Sequence, residues 1–530
     1  MGFKISPQEI QHVAQLANLQ ISDKELKLYT KQIQDILGYV EQLDKVKVEG
    51  VEPTYQTLDG TTNVWREDEV KESLSQEEAV GQAEKTMDGY FITDSVFGKG
   101  KSTIRQLTEY KKVQESTKRE IDGLNVVLTE VDVKGNIGLK DLFLTKGIRS
   151  TAGSNVLREY TPQYSSSVIK LLEKAGFATK YKLNCDAWAH GSSGENSDFG
   201  PVKNPWNLEF TPGGSSSGSA AAVAAGLVDF ATGTDTGGSI RLPASFCGVV
   251  GLKPTYGAVS RYGIVAMASS LDSPGIIGRT VEEVEKVFGV MVGEDRRDAT
   301  SKREGKRGIR RIRRTEEIKI GIPEEFFAEG LDSSVKKAVN GAIEELSKAG
   351  LEIKRLSLPH LKYALAVYYL IATTETASNL GRYDGIRYGQ DRSFFGAEAK
   401  RRIMLGTFAS SAGYSAKFFE KAARVRTLII KDFNDAFKDV DVLIGPVSPT
   451  PPFKLGEKAN DPLQMYLSDI LTVPVNLAGL PGLALPCGFT KNNLPIGMQL
   501  IGPRWSENLL FDIGEKYQGL TNWHKERPRV

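Results

Sequence analysis

The residues best suited to chemistry crowd into two runs rich in glycine and serine, PGGSSSGSAAAVAAG (residues 212–226) and GTDTGGSIRLPASFCGVVGLKPT (residues 233–255). A flexible linker would not run straight into an alanine-rich helix and then into a second Gly-Gly-Ser turn flanked by apolar residues. A phosphate cradle would carry GxxxxGK or GxGxxG, and neither occurs in these loops. A hydrolase site fits better. At a glycine-rich turn the missing Cβ atoms let backbone N–H groups converge on the oxygen of a tetrahedral intermediate. Thr236, Gly237, Gly238 and Ser239 supply such a turn, with a serine at its end. That serine needs a base. The four histidines (His12, His190, His360 and His524) are scattered, which argues against a Ser-His-Asp triad or a histidine metal site. The remaining candidate is a lysine whose ammonium pKa is lowered by burial and neighbouring donors until it is neutral near pH 7. Lys140, at the end of an apolar stretch in GNIGLKDLFLTKG, sits where such a lysine should.

The elements that must position these residues belong to an α/β pattern. Short apolar runs such as VVLTEVDV, VDFATG and VDVLIG alternate with helical stretches such as SSVIKLLEKAG and SVKKAVNGAIEELSKAG, which predicts one large sheet-based domain. Ahead of it, Ser6-Pro7-Gln8-Glu9 and Ser22-Asp23-Lys24-Glu25 read as capping boxes opening two short helices. In the second, Leu26, Tyr29, Ile33, Ile36, Val40 and Leu43 line one apolar face and leave Lys, Gln and Asp outside. That face packs either on the chain's own body or on a partner. From Lys45 to about Lys101 the periodicity fades into a polar segment dotted with Val51, Pro53, Tyr55, Val64 and Trp65, expected to lie as a strap across another surface. The residues FGKGKS (97–102) read as a linker. The basic run KREGKRGIRRIRR (302–314) reads as a solvated loop or, as the lesser alternative, a phosphate-backbone contact.

Composition narrows the function further. With 68 Lys and Arg against 66 Asp and Glu, the 530-residue chain has no overall field for a polyanion, so any nucleic acid would be handled locally or by another subunit. Three distant cysteines (Cys185, Cys247, Cys487) form no CxxC pair, which points to a reducing cytoplasm and away from disulfides or zinc. The first residues are too polar for a signal peptide, and no apolar run approaches the roughly 18 residues needed to span a bilayer.

The two glycine and serine runs, together with Lys140 at its spacing upstream, closely resemble the amidase signature family. The resemblance implies a large mixed sheet with helices on both faces. It also implies Ser239 as nucleophile, Ser215 in a cis peptide as proton relay and Lys140 as ultimate base. The oxyanion hole falls to the amides around Thr236, Gly237, Gly238 and Ser239, and the intermediate is an acyl-enzyme. Within the family, segments such as HGSSGENSDFGPVKNPWN, RYDGIRYG, KRRIMLGTFASSAGY and DPLQMYLSDILTVPVNLAGLPG are similar to the A subunits of glutamyl-tRNA(Gln) amidotransferases, over roughly residues 121–519. Residues 5–94, ending in DGYF, resemble the C subunits of the same enzymes. The domains expected are therefore a C-like helical hairpin and strap (1–97), a linker with a shortened amidase start (98–120), and an amidase domain (121–530).

The resemblance further implies a glutaminase. It would hydrolyse glutamine and supply ammonia for amidating Glu-tRNA(Gln), with Asp-tRNA(Asn) as the alternative acceptor, in complex with a B subunit that uses ATP and Mg²⁺. No cofactor is expected on this chain itself. Arg402 and Asp469 fall where the family places the partners of the glutamine α-carboxylate and α-ammonium, with Tyr368 and Ser192 in the same pocket. Three departures from the family pattern stand out: Ser217 replaces a usual glycine beside the relay, Asn136 replaces a usual proline, and the chain is short between Gly389 and Lys400. The rival readings are a stand-alone amidase with the same Ser-Ser-Lys machinery and an idle scaffold, against which the intact Lys140, Ser215 and Ser239 set argues.

Overall fold

The computed structural model describes residues 4–58, 65, 67–70, 72–93, 123–132, 134–302 and 318–529. The linker expected at 98–120, Val64, and all of the basic run beyond Lys302 lie outside the described residues.

Helices α1 (Pro7–Leu16) and α2 (Asp23–Val40) start at the two capping boxes. In each, the serine hydroxyl accepts from the N3 amide while the N3 glutamate accepts from the serine amide, at 3.2 and 2.7 Å for Ser6 and Glu9 and at 3.3 and 2.8 Å for Ser22 and Glu25. Tyr29, Ile33, Ile36, Leu37 and Val40 are buried in the same core as Leu365 and Ile403, so the apolar face closes on the body of its own chain. One polar side chain expected outside, Gln32, is buried with them. The following segment is a strap along residues 419–427. Thr54 N–H donates to the Ala423 carbonyl (3.1 Å), Lys421, Arg424 and Arg426 donate to the carbonyls of Val46, Val51 and Tyr55, and the Tyr55 ring stacks on Phe419. A polar segment gains its order this way, through backbone bonds to a preformed surface. Trp65 is 85% exposed and anchors nothing among the described residues, contrary to the expectation from its size. Further on, β1 (Thr86–Met87) and β2 (Tyr90–Phe91) form an exposed hairpin whose Asp88-Gly89 turn has positive φ at both positions.

The sheet-based domain is built on β3 (Val127–Glu130), β4 (Ile137–Lys140), β5 (Thr179–Leu183), β6 (Phe230–Asp235), β7 (Val250–Lys253), β8 (Ser273–Gly278), β9 (Lys319–Pro323), β10 (Glu352–Leu356), β11 (Val442–Pro446), β12 (Gly482–Phe489) and β13 (Pro495–Ile501). They form one 11-stranded mixed sheet in the order β10-β9-β11-β13-β12-β7-β8-β6-β4-β5-β3. The helices that follow in chain order are α3 (Ser167–Lys174), α4 (Ser217–Ala224), α5 (Arg241–Cys247), α6 (Val281–Met291), α7 (Ser333–Lys348), α8 (Ala364–Leu380), α9 (Ala397–Ser410), α10 (Lys421–Ala436) and α11 (Glu507–Leu520). Successive strand residues point to opposite faces, so Leu483, Leu485 and Cys487 join one core while Ala484 joins the other. Helices α3, α6, α7 and α11 close the first core, and α4, α5, α8, α9 and α10 the second. No helix among the described residues is long and apolar enough to cross a membrane.

Two features of the sheet set up the site. Strands β4 and β6 are parallel neighbours, so Lys140 and Asp235 leave the sheet at the same edge. The backbone N–H of Asn136 donates to the Ala178 carbonyl at 3.0 Å, a bond the proline expected from the family pattern could not make. Substituting Ile33, which is fully buried against the sheet-based domain, tests the docking of the N-terminal helices. Ile33→Ala should weaken that docking by about 2–5 kcal/mol. Hydrogen exchange should accelerate across residues 7–40 and remain unchanged in β6 and β12.

Candidate active site

Lys140 ends β4 with its side chain fully buried. An ammonium so placed needs a partner for each N–H, and three hydroxyls provide them: Ser215 Oγ at 2.8 Å, Ser216 Oγ at 2.9 Å and Thr234 Oγ1 at 2.9 Å. Burial pulls its pKa down to about 8, against the opposing charges of Asp186, Asp235 and Asp272. The Gly214–Ser215 peptide is cis. Ser239 is 8% exposed whereas Ser215 and Lys140 are fully buried, so Ser239 is the outermost of the three. The loops carrying the two serines are tied by the Ser216 amide donating to the Ser239 carbonyl at 3.1 Å, and no hydrogen bond joins the Ser215 and Ser239 hydroxyls.

The turn at residues 236–239 is shaped by a carboxylate behind it. Asp235 accepts from the amides of Gly238 (2.8 Å) and Ile240 (3.1 Å) and from Arg241 Nε (3.1 Å), both charges being fully buried. Burial alone would raise its pKa, but the adjacent Arg241 guanidinium overrides this and holds it at about 2. Arg241 is fixed in turn by Gln499 (2.9 Å), Asn476 (2.6 Å) and the Thr472 carbonyl (3.1 Å). This corrects one expectation. The Gly238 amide is committed to Asp235 and is not free for an oxyanion, whereas the amides of Thr236, Gly237 and Ser239 make no hydrogen bond among the described residues. Gly238 has φ of +141°, and a Cβ there would run into the Thr472 side chain.

The other expected residues gather around the same turn. A Cβ on Gly237 would lie 2.7 Å from Tyr368 Cζ, so the Tyr368 ring packs directly on the turn. Thr472 donates through Oγ1 to the Gly237 carbonyl at 2.6 Å and through its amide to the Asp469 carbonyl at 3.0 Å. Ser192 Oγ donates to Asp469 Oδ2, and the Ser192 carbonyl accepts from the Gly214 amide at 2.9 Å. Arg402, on α9, lies over the rings of Tyr369 and Tyr466 and donates through Nε to Glu398 at 2.7 Å. No ion pair joins Arg402 to Asp469, and Arg402 Nη1 is buried without a partner among the described residues. Burial pushes the Asp469 carboxyl up to about 7, although the Ser192 hydroxyl and the Arg402 charge work the other way. Unlike charges held apart and each lacking a full set of partners suit a zwitterion between them.

Several members of the site do not stand out in the sequence. Asp235 and Arg241 flank the Gly-Gly-Ser turn and lie within the same motif. Thr234 and Ser216 complete the lysine cage. His190 is fully buried with neither ring nitrogen bonded among the described residues, and burial together with the Arg402 charge holds its pKa well below the usual value. Its place two residues before Ser192 is the available signal. The Ser217 hydroxyl does not bond Lys140; its Oγ is buried without a partner among the described residues and its Cβ packs against Gly194. A cavity of about 290 Å³ meets the site at Thr234 and Asp272 and runs to Arg261, Arg297 and Arg382, away from Arg402 and Asp469. No three His, Cys, Asp or Glu side chains are grouped to hold a metal among the described residues.

Residues 136–511 match the Amidase family, and residues 21–92 match the Glu-tRNAGln amidotransferase C subunit family. The A subunit of the glutamyl-tRNA(Gln) amidotransferase of Geobacillus sp. (strain WCH70) is 51% identical over 411 residues, covering 74% of this chain and 84% of that protein. Its counterpart from Rippkaea orientalis is 51% identical over 408 residues, covering 74% and 85%. The crystal structure of the Thermotoga maritima counterpart superposes with a TM-score of 0.66 at 41% identity, covering 75% of this chain and 88% of that one. This chain belongs to the amidase family and, within it, to the glutamyl-tRNA(Gln) amidotransferase A subunits, with a C-subunit region ahead of the catalytic domain in the same polypeptide.

Proposed function

We propose that this chain hydrolyses glutamine at Ser239 and supplies the ammonia to a B subunit, which uses ATP and Mg²⁺ to activate Glu-tRNA(Gln), in a cytoplasmic enzyme of protein biosynthesis. The observation that carries the reading is the buried Lys140 Nζ, held 2.8 Å from Ser215 Oγ, with Ser239 on the adjoining loop the least buried of the three. Neutral Lys140 takes the Ser215 proton as Ser215 takes that of Ser239, and Ser239 Oγ attacks the side-chain amide carbon of glutamine. The developing oxyanion meets the amides of Thr236, Gly237 and Ser239. The proton returns along the relay to the leaving nitrogen, ammonia departs, and water hydrolyses the γ-glutamyl ester by the same relay to give glutamate. Arg402 receives the α-carboxylate and Asp469 the α-ammonium, which sets the substrate length from turn to clamp. ATP and Mg²⁺ are assigned to the B subunit, and no step on this chain passes through them.

Ammonia release from glutamine, measured with and without a B subunit, ATP and Glu-tRNA(Gln), should fall about 10,000-fold in Ser239→Ala and comparably in Lys140→Met. Cleavage of simple amides with glutamine untouched in the full mixture would replace this reading with a stand-alone amidase. The pH profile supplies a second check. Lys140 works as the neutral base and Asp469 as the anion, so both ionisations act in the same direction. The value of kcat/KM should fall with one proton as pH drops through about 8, and with a second below about 7. Asp469→Asn should raise KM and abolish the lower ionisation while leaving the one near 8.

A further inference from the structure

The first two turns of α9 carry Glu398, Arg401 and Arg402, and the three are linked. The Glu398 carboxylate accepts from Arg401 Nη1 on one oxygen, and from Arg402 Nε (2.7 Å) and the Tyr466 hydroxyl (2.8 Å) on the other. Glu398 thus fixes the plane of the Arg402 guanidinium by sharing its charge between two arginines. Arg401 is completed from outside the catalytic domain, because its Nε donates to Gln32 Oε1 on α2 at 2.8 Å. All four side chains are buried or nearly so. Around this contact α2 also grips the start of α9 through Tyr29, which donates to the Ala397 carbonyl, and through Glu25, which pairs with Lys400 at 2.9 Å.

We infer that the N-terminal C-subunit-like region is part of the glutamine pocket, with Gln32 acting through Arg401 and Glu398 as a positioning residue for the Arg402 guanidinium. The inference rests on the reading that Arg402 receives the substrate carboxylate. The chemistry of Gln32 suits the task. As a neutral acceptor it satisfies the buried Arg401 Nε without adding a second anion that would compete with Glu398. Without it, Arg401 must turn to recover a partner. Glu398 would follow, and the free Nη1 of Arg402 would no longer face the α-carboxylate of a substrate whose α-ammonium is held by Asp469.

The test is steady-state kinetics on the full chain with its B subunit, using glutamine and 4-aminobutanamide, which is glutamine without its α-carboxylate, the latter as substrate or competitive inhibitor. Gln32→Met keeps the side-chain volume and removes the acceptor. It should raise KM for glutamine about 10-fold, the size of one lost hydrogen bond to a charged group, with kcat within about twofold and no change towards 4-aminobutanamide. Arg401→Lys keeps the charge, removes the fork, and should reproduce that selective change should Gln32→Met fail to fold. Tyr29→Phe removes a bond between the same two helices while keeping the ring that lies against the Arg401 guanidinium, and should leave KM unchanged. Equal losses on both compounds, a change in kcat alone, or the same effect in Tyr29→Phe would reduce Gln32 to a packing role and overturn the inference. Arg402→Ala separates the two levels. If it weakens both compounds equally, the carboxylate reading is wrong; if it is selective for glutamine while Gln32→Met and Arg401→Lys are silent, only the inference fails.

Discussion

A lysine with no solvent exposure, its amine enclosed by three hydroxyls, is the constraint around which the molecule is arranged. Removing an ammonium from water is costly unless every N–H is paired or the proton is given up, and the Lys140 site does some of each. The pairing demands that the loop at 212–216 and the end of β6 converge on the end of β4. The parallel pairing of β4 and β6 brings two of those three together, and the bond from the Ser216 amide to the Ser239 carbonyl brings the nucleophile loop to the same point. The lowered pKa then makes the same buried amine a base within reach of neutral pH.

A second buried charge governs the other half of the chemistry. Asp235 and Arg241 form a pair with no exposure, and such a pair is tolerated only when its remaining donors and acceptors are filled. Here they are filled by the turn itself and by residues from distant parts of the chain, including Gln499, Asn476 and the Thr472 carbonyl. The turn is consequently held from behind, which points the Gly238 amide inward and leaves the amides of Thr236, Gly237 and Ser239 unbonded among the described residues. The same Thr472 bonds the Gly237 carbonyl through its hydroxyl and the Asp469 carbonyl through its amide, so the turn at 236–239 and Asp469 are fixed relative to one another by a single residue.

The N-terminal region extends this network outwards. It buries an apolar helix face in the core that holds α8 and α9, lays a polar strap on α10 through backbone carbonyls, and reaches Arg401 with Gln32. Joining it covalently to the catalytic domain keeps those contacts at a high local concentration, which a separate polypeptide would have to reach by binding.

The amino-acid sequence by itself determined what is local or set by residue type. The capping boxes at Ser6 and Ser22, the apolar stripe on α2, the glycines of the nucleophile turn, and the Lys140, Ser215 and Ser239 spacing are all readable, because each depends on a few neighbouring residues or on a family register. What only the tertiary structure decided are contacts between residues far apart along the chain. The direction of the Gly238 amide follows from Asp235 and Arg241, whose partner Gln499 lies 258 positions beyond Arg241. By residue type Gln32 belongs with the polar exterior of α2, yet it is buried against Arg401, 369 positions away. By size Trp65 suits an anchor, yet it is exposed, because anchoring needs a facing surface and not only an apolar side chain. In the sequence His190 is one of four scattered histidines, and it is the fold that places its unbonded ring beside Arg402. Residue type sets which interactions a side chain can make, whereas burial and the arrival of distant partners decide which of them it does make.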